Sequence, residues 1–311
     1  MRVVVQNDKY GVLHRRVAVR GALAVLAAAA LLSGCTLPGT KPDVRPAPGQ
    51  EPLKGARAPG LDDYTARRHA DRTALVAAAR YWGLDQAPLT PPPPPAHKPR
   101  ITVRPGFEVE GEEGLDLPPV FTAIPTRQKV VFLTLDDGAE KDPAFLRMMT
   151  DLHIPYTAFL SNDSVEDDYG FFRRAQAEGV TLDNHTLHHP YLPGLSYDEQ
   201  EEEICGMQAI MTKQFGRRPT VFRPPYGNYN RNTLLAARSC GIKYAPIWEE
   251  EVFADHWEYR GDDTHLHPGD IVLSHFQGLR EWNGTLPDMI RRFLNKVTRE
   301  GYAVARLEDY L

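Results

Sequence analysis

From Lys129 onward the chain alternates short apolar runs with segments of helical spacing, and this alternation restricts the fold more than any other feature. Val130 to Leu135 is almost wholly apolar, as in a strand that is buried on both faces, and Pro143 to Leu152 follows with helical spacing. A repeated strand and helix order predicts a parallel sheet of βα units, and this many units predicts closure into a barrel. The order repeats through Tyr156 to Leu160, Phe171 to Ala177, Val180 to Asp183, Tyr197 to Phe215, Val221 to Arg223, Asn232 to Ser239, Lys243 to Ile247, Ile271 to Ser274, Leu286 to Thr298 and Tyr302 to Leu307.

Two groups of polar residues follow predicted strands, where a barrel carries its active site. Asp136 and Asp137 come directly after the first apolar run and before Gly138, which permits a tight turn. His185 and His189 follow another short strand, and a helical turn at this point would bring the two imidazoles together. One carboxylate and two imidazoles form a three-ligand metal set that leaves a coordination position open for water. In isolation, an Asp-Asp-Gly sequence is more often a turn and a His-rich loop is more often surface.

Two later predicted strands also end on residues that are suited to catalysis. Arg223 precedes Pro224, Pro225 and Tyr226, so the prolines stiffen a turn where a guanidinium can hold a carboxylate by two hydrogen bonds. His275 ends the apolar run that starts at Ile271, in a position suited to a general acid. An ordinary Pro-Gly turn and a structural histidine are the alternatives.

The order of these motifs resembles the NodB-like polysaccharide deacetylases, carbohydrate esterase family four, over the chain from Lys129 to its end. Leu135 stands where the family commonly has Phe. The resemblance implies an α/β fold, a distorted (β/α) barrel with fewer than eight full units. The sequences that carry it are Thr134-Leu135-Asp136-Asp137-Gly138, His185-Thr186 followed by His189, Arg223-Pro224-Pro225-Tyr226 and Leu273-Ser274-His275.

The resemblance also implies how the work is divided between adjacent aspartates. Asp137, His185 and His189 would be the ligands of a divalent ion, with Zn²⁺ expected and Co²⁺ or Ni²⁺ also suited to this donor set. Asp136 would be the general base that activates the water on the ion. A carboxylate bound directly to the ion would be a poor base, so two neighbouring aspartates can take the two roles.

Three further residues have roles implied by the resemblance. Arg223 would orient Asp136, and the backbone N–H of Tyr226 would stabilise the oxyanion together with the ion. His275 would protonate the leaving amine or alcohol.

The sequence departs from the family in its fourth motif, which pairs an Asp with a Trp to position the acid histidine. The corresponding region runs from Trp248 to Trp257 and contains Glu251 and Asp255. Either Asp255 and Trp257 fill the two roles, or Glu251 replaces the Asp. His188, His256, His265 and His267 receive no role.

The amino-terminal segment resembles the signal peptide of a bacterial lipoprotein. Arg15, Arg16 and Arg20 precede the apolar run 21–32, which is shorter than the roughly 20 residues of a membrane span. The run ends in Leu-Ser-Gly before Cys35, a sequence similar to the lipobox. We therefore expect a signal peptide over residues 1–34 and a protein anchored by lipid on Cys35 outside a bacterial cell membrane. A plain secretory signal or an uncleaved anchor is the alternative.

The next segments differ in composition. Residues 35–60 are rich in Pro, Gly and charge and are expected to form a disordered tether, while 61–84 has the spacing of a helix. Residues 85–100 include the run Pro91 to Pro95 and are expected to be a linker before a catalytic domain over 101–311. Ile101 to Val109 and Val120 to Ile124 are candidate strands at its start.

Charge and cysteine content add two expectations. The formal net charge of −5 gives no basic surface for nucleic acid. If Cys35 carries lipid, Cys205 and Cys240 remain as either a disulfide or two buried thiols.

The function expected from these features is removal of N-acetyl groups, or O-acetyl groups, from a polysaccharide such as a cell-wall or chitin-like N-acetylglucosamine glycan. A tethered glycan-binding protein that keeps the deacetylase fold without turnover is the alternative. Oligomeric state cannot be read from the sequence.

Overall fold

A computed structural model describes the backbone of residues 60–311 and side chains from residue 65. Residues 70–311 lie in one compact unit. The predicted signal peptide over 1–34, the lipidation site Cys35 and the tether over 35–60, except Gly60, lie outside the described residues. Within the described part, no helix has the length and apolar character needed to cross a bilayer.

The helices follow the predicted order closely. The helix expected over 61–84 is present and ends at Tyr81, and the next helices begin at capping residues such as Asp142, Ser196, Asn230 and Thr285. The α-helices are α1 Gly60–Tyr81, α2 Pro143–Asp151, α3 Asn162–Val165, α4 Tyr169–Ala177, α5 Tyr197–Phe215, α6 Arg231–Ser239 and α7 Leu286–Arg299, with 3₁₀ turns at Leu192–Gly194, Pro225–Gly227 and Leu307–Asp309.

The strands are shorter than the helices and mainly parallel. One sheet has the order β4-β3-β2-β8-β6-β7, with β9 also beside β2, and β7 is antiparallel to β6. A second, two-stranded sheet pairs β1 with β5. The strands are β1 Val120–Phe121, β2 Val130–Asp137, β3 Thr157–Leu160, β4 Thr181–Asn184, β5 Ala245–Pro246, β6 Glu250–Val252, β7 Trp257–Tyr259, β8 Ile271–His275 and β9 Ala303–Val304.

Isolated parallel bridges close the main sheet into a distorted barrel. Asn184 at the end of β4 pairs with Phe222, and Val221 pairs with Tyr244. The chain then runs from Tyr244 through β5 into β6, which returns to β8. The predicted distorted α/β barrel with fewer than eight units is therefore confirmed.

Side chains along β2 point alternately toward the helix layer and toward the barrel interior. Val131, Leu133 and Leu135 join the large core that also contains residues of α2, α4 and α7, whereas Phe132 packs with the residues on the opposite side of the strand. The period of two carries Asp136 to the same side as Phe132. The strand thus delivers a carboxylate to the interior at its carboxyl end.

The Pro-rich segment does not separate two bodies, which corrects the expected linker over 85–100. Ala79, Trp82 and Leu84 belong to the main core, and the Trp82 indole donates a hydrogen bond of 2.9 Å to Asp151. Pro93 accepts a hydrogen bond from the Gln128 side chain at 3.1 Å. Apolar contacts hold the helix end against the barrel and the hydrogen bond at Pro93 holds the Pro run, so the compact unit includes residues before 101.

Five predicted strands differ from the structure, and two of them, Lys243 to Ile247 and Tyr302 to Leu307, shorten to the two residues of β5 and β9. Ile101 to Val109 forms no strand because Pro105 and Gly106, with φ at 90°, turn the chain. Val120 to Ile124 is reduced to the two residues of β1, and Val221 to Arg223 makes only isolated bridges. Each of these short apolar runs packs against the barrel without a continuous ladder.

Cys205 and Cys240 form a disulfide that joins α5 to the end of α6. Of the two arrangements open from the sequence, the structure has the paired one. The bridge closes a loop with a sequence separation of 35 and lies beside the small cluster that contains Phe222. It therefore fastens the helices behind the strand segment that leads to Arg223.

We predict that the variant Cys205→Ala, Cys240→Ala will be less stable to unfolding by about 2–4 kcal/mol, because the open chain gains conformational entropy when unfolded. Urea titration followed by circular dichroism measures the difference. Reductant should lower the stability of the wild type and leave the variant unchanged. Equal midpoints for the wild type, with and without reductant, would show that the bridge contributes nothing.

Candidate active site

The carboxyl end of β2 presents two adjacent aspartates in different environments. Asp136 is almost fully buried, with 2% of its surface exposed, whereas Asp137 is half-buried. Asp137 has a φ of 75° and Gly138 one of 97°, so the chain turns sharply as the strand ends. At Gly138 a side chain would meet Val165 Cγ1 at 2.4 Å, which explains why glycine follows the pair.

Arg223 fixes the orientation of Asp136 from inside the barrel. Its Nη1 donates hydrogen bonds to Asp136 Oδ1 at 2.7 Å and to Thr134 Oγ1 at 2.9 Å. Its Nε donates to the carbonyl of Pro246 at 3.0 Å, and the guanidinium lies over the ring of Phe159. Arginine thus fixes Oδ1, and Oδ2 is the carboxylate oxygen that does not contact the guanidinium.

His185 and His189 converge through a tight turn, not through the helical turn expected from their spacing. Thr186 and His189 both have left-handed backbones, with φ at 77° and 54°. The Asn184 side chain accepts from the Thr186 N–H at 2.9 Å, and the Thr186 hydroxyl accepts from the His189 N–H at 3.0 Å. These two bonds fold the segment so that both rings face Asp137.

The three expected ligands lie close enough for one ion. Their ligand atoms are all within 4.8 Å of one another, and His185 Nε2 and His189 Nε2 are 3.6 Å and 3.4 Å from Asp137 Oδ1. The His185 Nδ1–H donates to the carbonyl of Arg223 at 2.7 Å, which leaves Nε2 with a free lone pair. Asp137 Oδ1 is buried and has no hydrogen-bond partner. The residues therefore fit a divalent cation.

Burial sets the protonation of this group. It lowers the pKa of His185 well below the ordinary value, with the charge of His189 adding to the effect, and burial also lowers the pKa of His189. Both imidazoles are thus neutral, as ligands must be. Burial raises the pKa of Asp136 to about 6, against the opposing charge of Arg223. A carboxylate with a pKa near neutrality is suited to accept a proton and release it again.

His275 is opposite Asp136 across the β2 and β8 ladder, and Glu251 holds it. His275 Nδ1 lies 3.1 Å from Glu251 Oε1. Burial of the ring lowers the pKa of His275, but the hydrogen bond to Glu251 and the negative charges around it outweigh burial and raise the pKa to about 9. The metal-free protein thus holds His275 as a charged acid.

The structure distinguishes Glu251 from Asp255 as the partner of His275. Of the two residues that the sequence leaves open, Glu251 on β6 is the one that contacts His275. Asp255 is exposed and pairs with His256 at 2.7 Å and with the Asn283 side chain at 3.3 Å. Trp257 packs against Phe293 of α7 at a centroid distance of 6.2 Å.

Tyr226 lies at the mouth of the site, within the 3₁₀ turn Pro225–Gly227. Its φ is 60°, and 47% of its surface is exposed. The ring is 4.6 Å from the ring of His189, so the tyrosine borders the ligand group. The role of its backbone N–H stays a prediction.

Two residues that position the site were not predicted. Thr134 shares the Arg223 guanidinium with Asp136, and Asn184 sets the turn after β4. In the sequence, Thr134 is a polar residue two positions before Asp136 and therefore on the same face of the strand. Asn184 is an amide directly before His185.

Comparisons with known proteins were made by sequence and by fold. The family model described as polysaccharide deacetylase matches residues 123–245. An uncharacterized protein of Streptomyces coelicolor is 40% identical over 203 residues, which cover 65% of this chain and 81% of that protein. The peptidoglycan-N-acetylmuramic acid deacetylase PdaA of Bacillus subtilis is 25% identical over 199 residues, which cover 60% of this chain and 73% of PdaA.

Two solved structures share the fold. The peptidoglycan N-acetylglucosamine deacetylase Bc1960 superposes with a TM-score of 0.54 at 24% identity, over 62% of this chain and 92% of that chain. Wild-type BA3943 of Bacillus anthracis, described as a CE4 family pseudoenzyme, has a TM-score of 0.52 at 19% identity, over 62% and 69% of the two chains.

We predict that Glu251→Gln will lower the pKa of His275, because the charged hydrogen-bond partner is lost while burial of the ring remains. NMR titration of the histidine rings in metal-free protein measures the pKa. The matched control is Asp255→Asn, which should leave His275 unchanged. A shift with Asp255→Asn and none with Glu251→Gln would reverse the assignment.

Proposed function

The chain belongs to the polysaccharide deacetylase family, and from this premise we propose that it is a metal-dependent hydrolase that removes N-acetyl groups from peptidoglycan. The observation that carries the proposal is the convergence of Asp137, His185 and His189 beside a buried aspartate held by Arg223. Peptidoglycan is the preferred substrate because relatives such as PdaA and a Bacillus cereus protein, 28% identical over 160 residues, are peptidoglycan deacetylases by name.

Asp137, His185 and His189 would hold the divalent ion, which supplies a Lewis acid for the acetyl carbonyl and for the attacking water. Zn²⁺ is the proposed ion, with Co²⁺ or Ni²⁺ as alternatives for two imidazoles and a carboxylate. The buried, unpartnered Asp137 Oδ1 supports this assignment.

Asp136 is the proposed base. Its Oδ2 takes a proton from the water that attacks the acetyl carbonyl carbon, while Arg223 keeps Oδ1 fixed. Arg223 also prevents Asp136 from rotating to join the ligands. The two adjacent carboxylates therefore keep separate roles.

His275 is the proposed acid. Glu251 holds Nδ1, so Nε2 is the nitrogen that gives a proton to the leaving amine as the C–N bond breaks. The products are acetate and a free amino sugar. The Tyr226 N–H is proposed to stabilise the carbonyl oxygen during attack.

The proposed location agrees with this substrate. We propose that lipid on Cys35 holds the domain outside a bacterial membrane, beside the cell wall. Replacing Cys35 with Ala should then move the protein from the membrane fraction to the soluble fraction. Unchanged membrane fractionation of the variant would remove this part of the proposal.

We predict that the purified protein, loaded with Zn²⁺ or Co²⁺, will release acetate from peptidoglycan and that a chelator will stop the release. The same enzymatic measurement of acetate, made in parallel on N-acetylglucosamine oligomers and acetylated xylan, separates amide from ester hydrolysis. No release from any substrate, with metal bound and the fold intact, would favour the glycan-binding alternative. A direct test is needed because one structural neighbour is a pseudoenzyme.

The two aspartates form a matched pair of variants for the same assay. Asp136→Asn should lower kcat by about 10²- to 10⁴-fold with the metal retained, because an amide cannot accept the proton. Asp137→Asn should lose the metal as well. Wild-type rates for Asp136→Asn would overturn its assignment as the base.

A further inference from the structure

A second group of potential ligands lies at the amino ends of β6 and β8, away from the carboxyl ends that carry the candidate active site. Glu250 begins β6, Asp270 directly precedes β8, and His267 lies in the loop before Asp270. Glu250 and Asp270 are 2% and 3% exposed, whereas His267 is exposed. Two carboxylates are thus buried beneath an accessible imidazole.

The three side chains have metal-ligand geometry. One ligand atom from each lies within 4.8 Å of the others. His267 Nδ1 is 3.4 Å from Asp270 Oδ2, and its Nε2 is 3.4 Å from Asp263 Oδ2. A proton on Nε2 toward Asp263 leaves the lone pair of Nδ1 facing the cluster, the same carboxylate-histidine arrangement that orients metal ligands.

An unpartnered atom points to a missing positive charge. Glu250 Oε2 is buried and has no hydrogen-bond partner. Two carboxylates this close cannot both stay ionised unless a proton or a cation lies between them.

Two basic side chains near the cluster, Arg104 and Lys296, are engaged elsewhere. Arg104 is bound to Glu249 and to the Thr122 hydroxyl. Lys296 donates to Glu300 at 2.5 Å and to the carbonyl of Thr264 at 2.7 Å. These contacts leave the Glu250 and Asp270 oxygens without a direct ion pair to either cation.

An ion can reach the cluster from outside. A cavity of about 380 Å³ is lined by Arg104, Thr122, Glu249, His267 and Asp270, among others. The exposed His267 stands at the cluster and at the cavity wall.

We propose that Glu250, His267 and Asp270 bind a second divalent transition-metal ion, such as Zn²⁺ or Mn²⁺, that ties β6 to β8. The imidazole favours Zn²⁺, and the two carboxylates are also suited to Mn²⁺. The ion would stabilise the strand pair whose other end holds Glu251 and His275. The proposal stands on these residues alone and does not require that the protein is a deacetylase.

The test measures the metal content of a background variant, the full chain with Asp137→Asn and His189→Ala. These two substitutions remove ligands of the first candidate site. After exposure to Zn²⁺ or Mn²⁺ and dialysis, elemental analysis should give two equivalents for the wild type and one for the background. Adding His267→Ala should remove the remaining equivalent. The matched control, His265→Ala in the same loop, should keep it, because His265 faces Glu300 and not the cluster. A metal-free background, or one equivalent kept after His267→Ala, would overturn the proposal.

Glu250→Gln separates a bound ion from a shared proton. In the background, a hundredfold excess of Zn²⁺ over its Kd should raise Tm by about 5 °C or more, and Glu250→Gln should abolish the rise. A glutamine amide can donate to Asp270 much as a protonated Glu250 would. If the background shows no metal-dependent rise, and its Tm equals that of the Glu250→Gln variant, the pair shares a proton and the proposal fails.

Discussion

The candidate site depends on one buried ion pair inside the barrel, Arg223 with Asp136. The guanidinium binds side chains of β2 and the carbonyl of Pro246, while the Arg223 carbonyl orients His185. One residue therefore connects the proposed base, a proposed metal ligand and three parts of the barrel wall. Loss of one partner of such a pair leaves a buried charge, at a cost of about 3–5 kcal/mol. The arginine is thus a structural requirement as much as a part of the site.

Strand geometry explains how two neighbouring carboxylates acquire different properties. The alternation of β2 places Asp136 inside, under Arg223, and the left-handed turn at Asp137 swings the next carboxylate toward the two histidines. Their different environments follow from backbone direction, because the side chains are chemically identical. The turn that separates them requires glycine at position 138, because a Cβ there would lie 2.4 Å from Val165 Cγ1.

The alternation of apolar runs and helical segments was sufficient to predict the barrel. The positions of Asp137, His185 and His189 after predicted strands were sufficient to predict that the three side chains lie together. The sequence was insufficient where the structure depends on which segments pair with each other in space. Ile101 to Val109 has strand-like composition, yet Pro105 and Gly106 break it. Glu251 and Asp255 were equal candidates as the partner of His275, and only the register of Glu251 beside Leu273 on β8 separates them. The turn that joins His185 to His189 required Asn184, whose role depends on backbone angles that no spacing encodes.

The pairing of β6 with β8 connects the cluster of Glu250, His267 and Asp270 to the candidate active site. Charge in this cluster therefore affects the position of Glu251. Glu250 and Glu251 are consecutive, so any displacement of β6 that relieves repulsion between Glu250 and Asp270 also moves the carboxylate that holds His275. The ladder is short, with two registered pairs between β6 and β8, and it therefore resists such displacement weakly. A positive charge between Glu250 and Asp270, whether proton or ion, removes the repulsion at its source. The position of the Glu251 carboxylate that holds His275, the proposed acid, thus depends on the charge balance between Glu250 and Asp270.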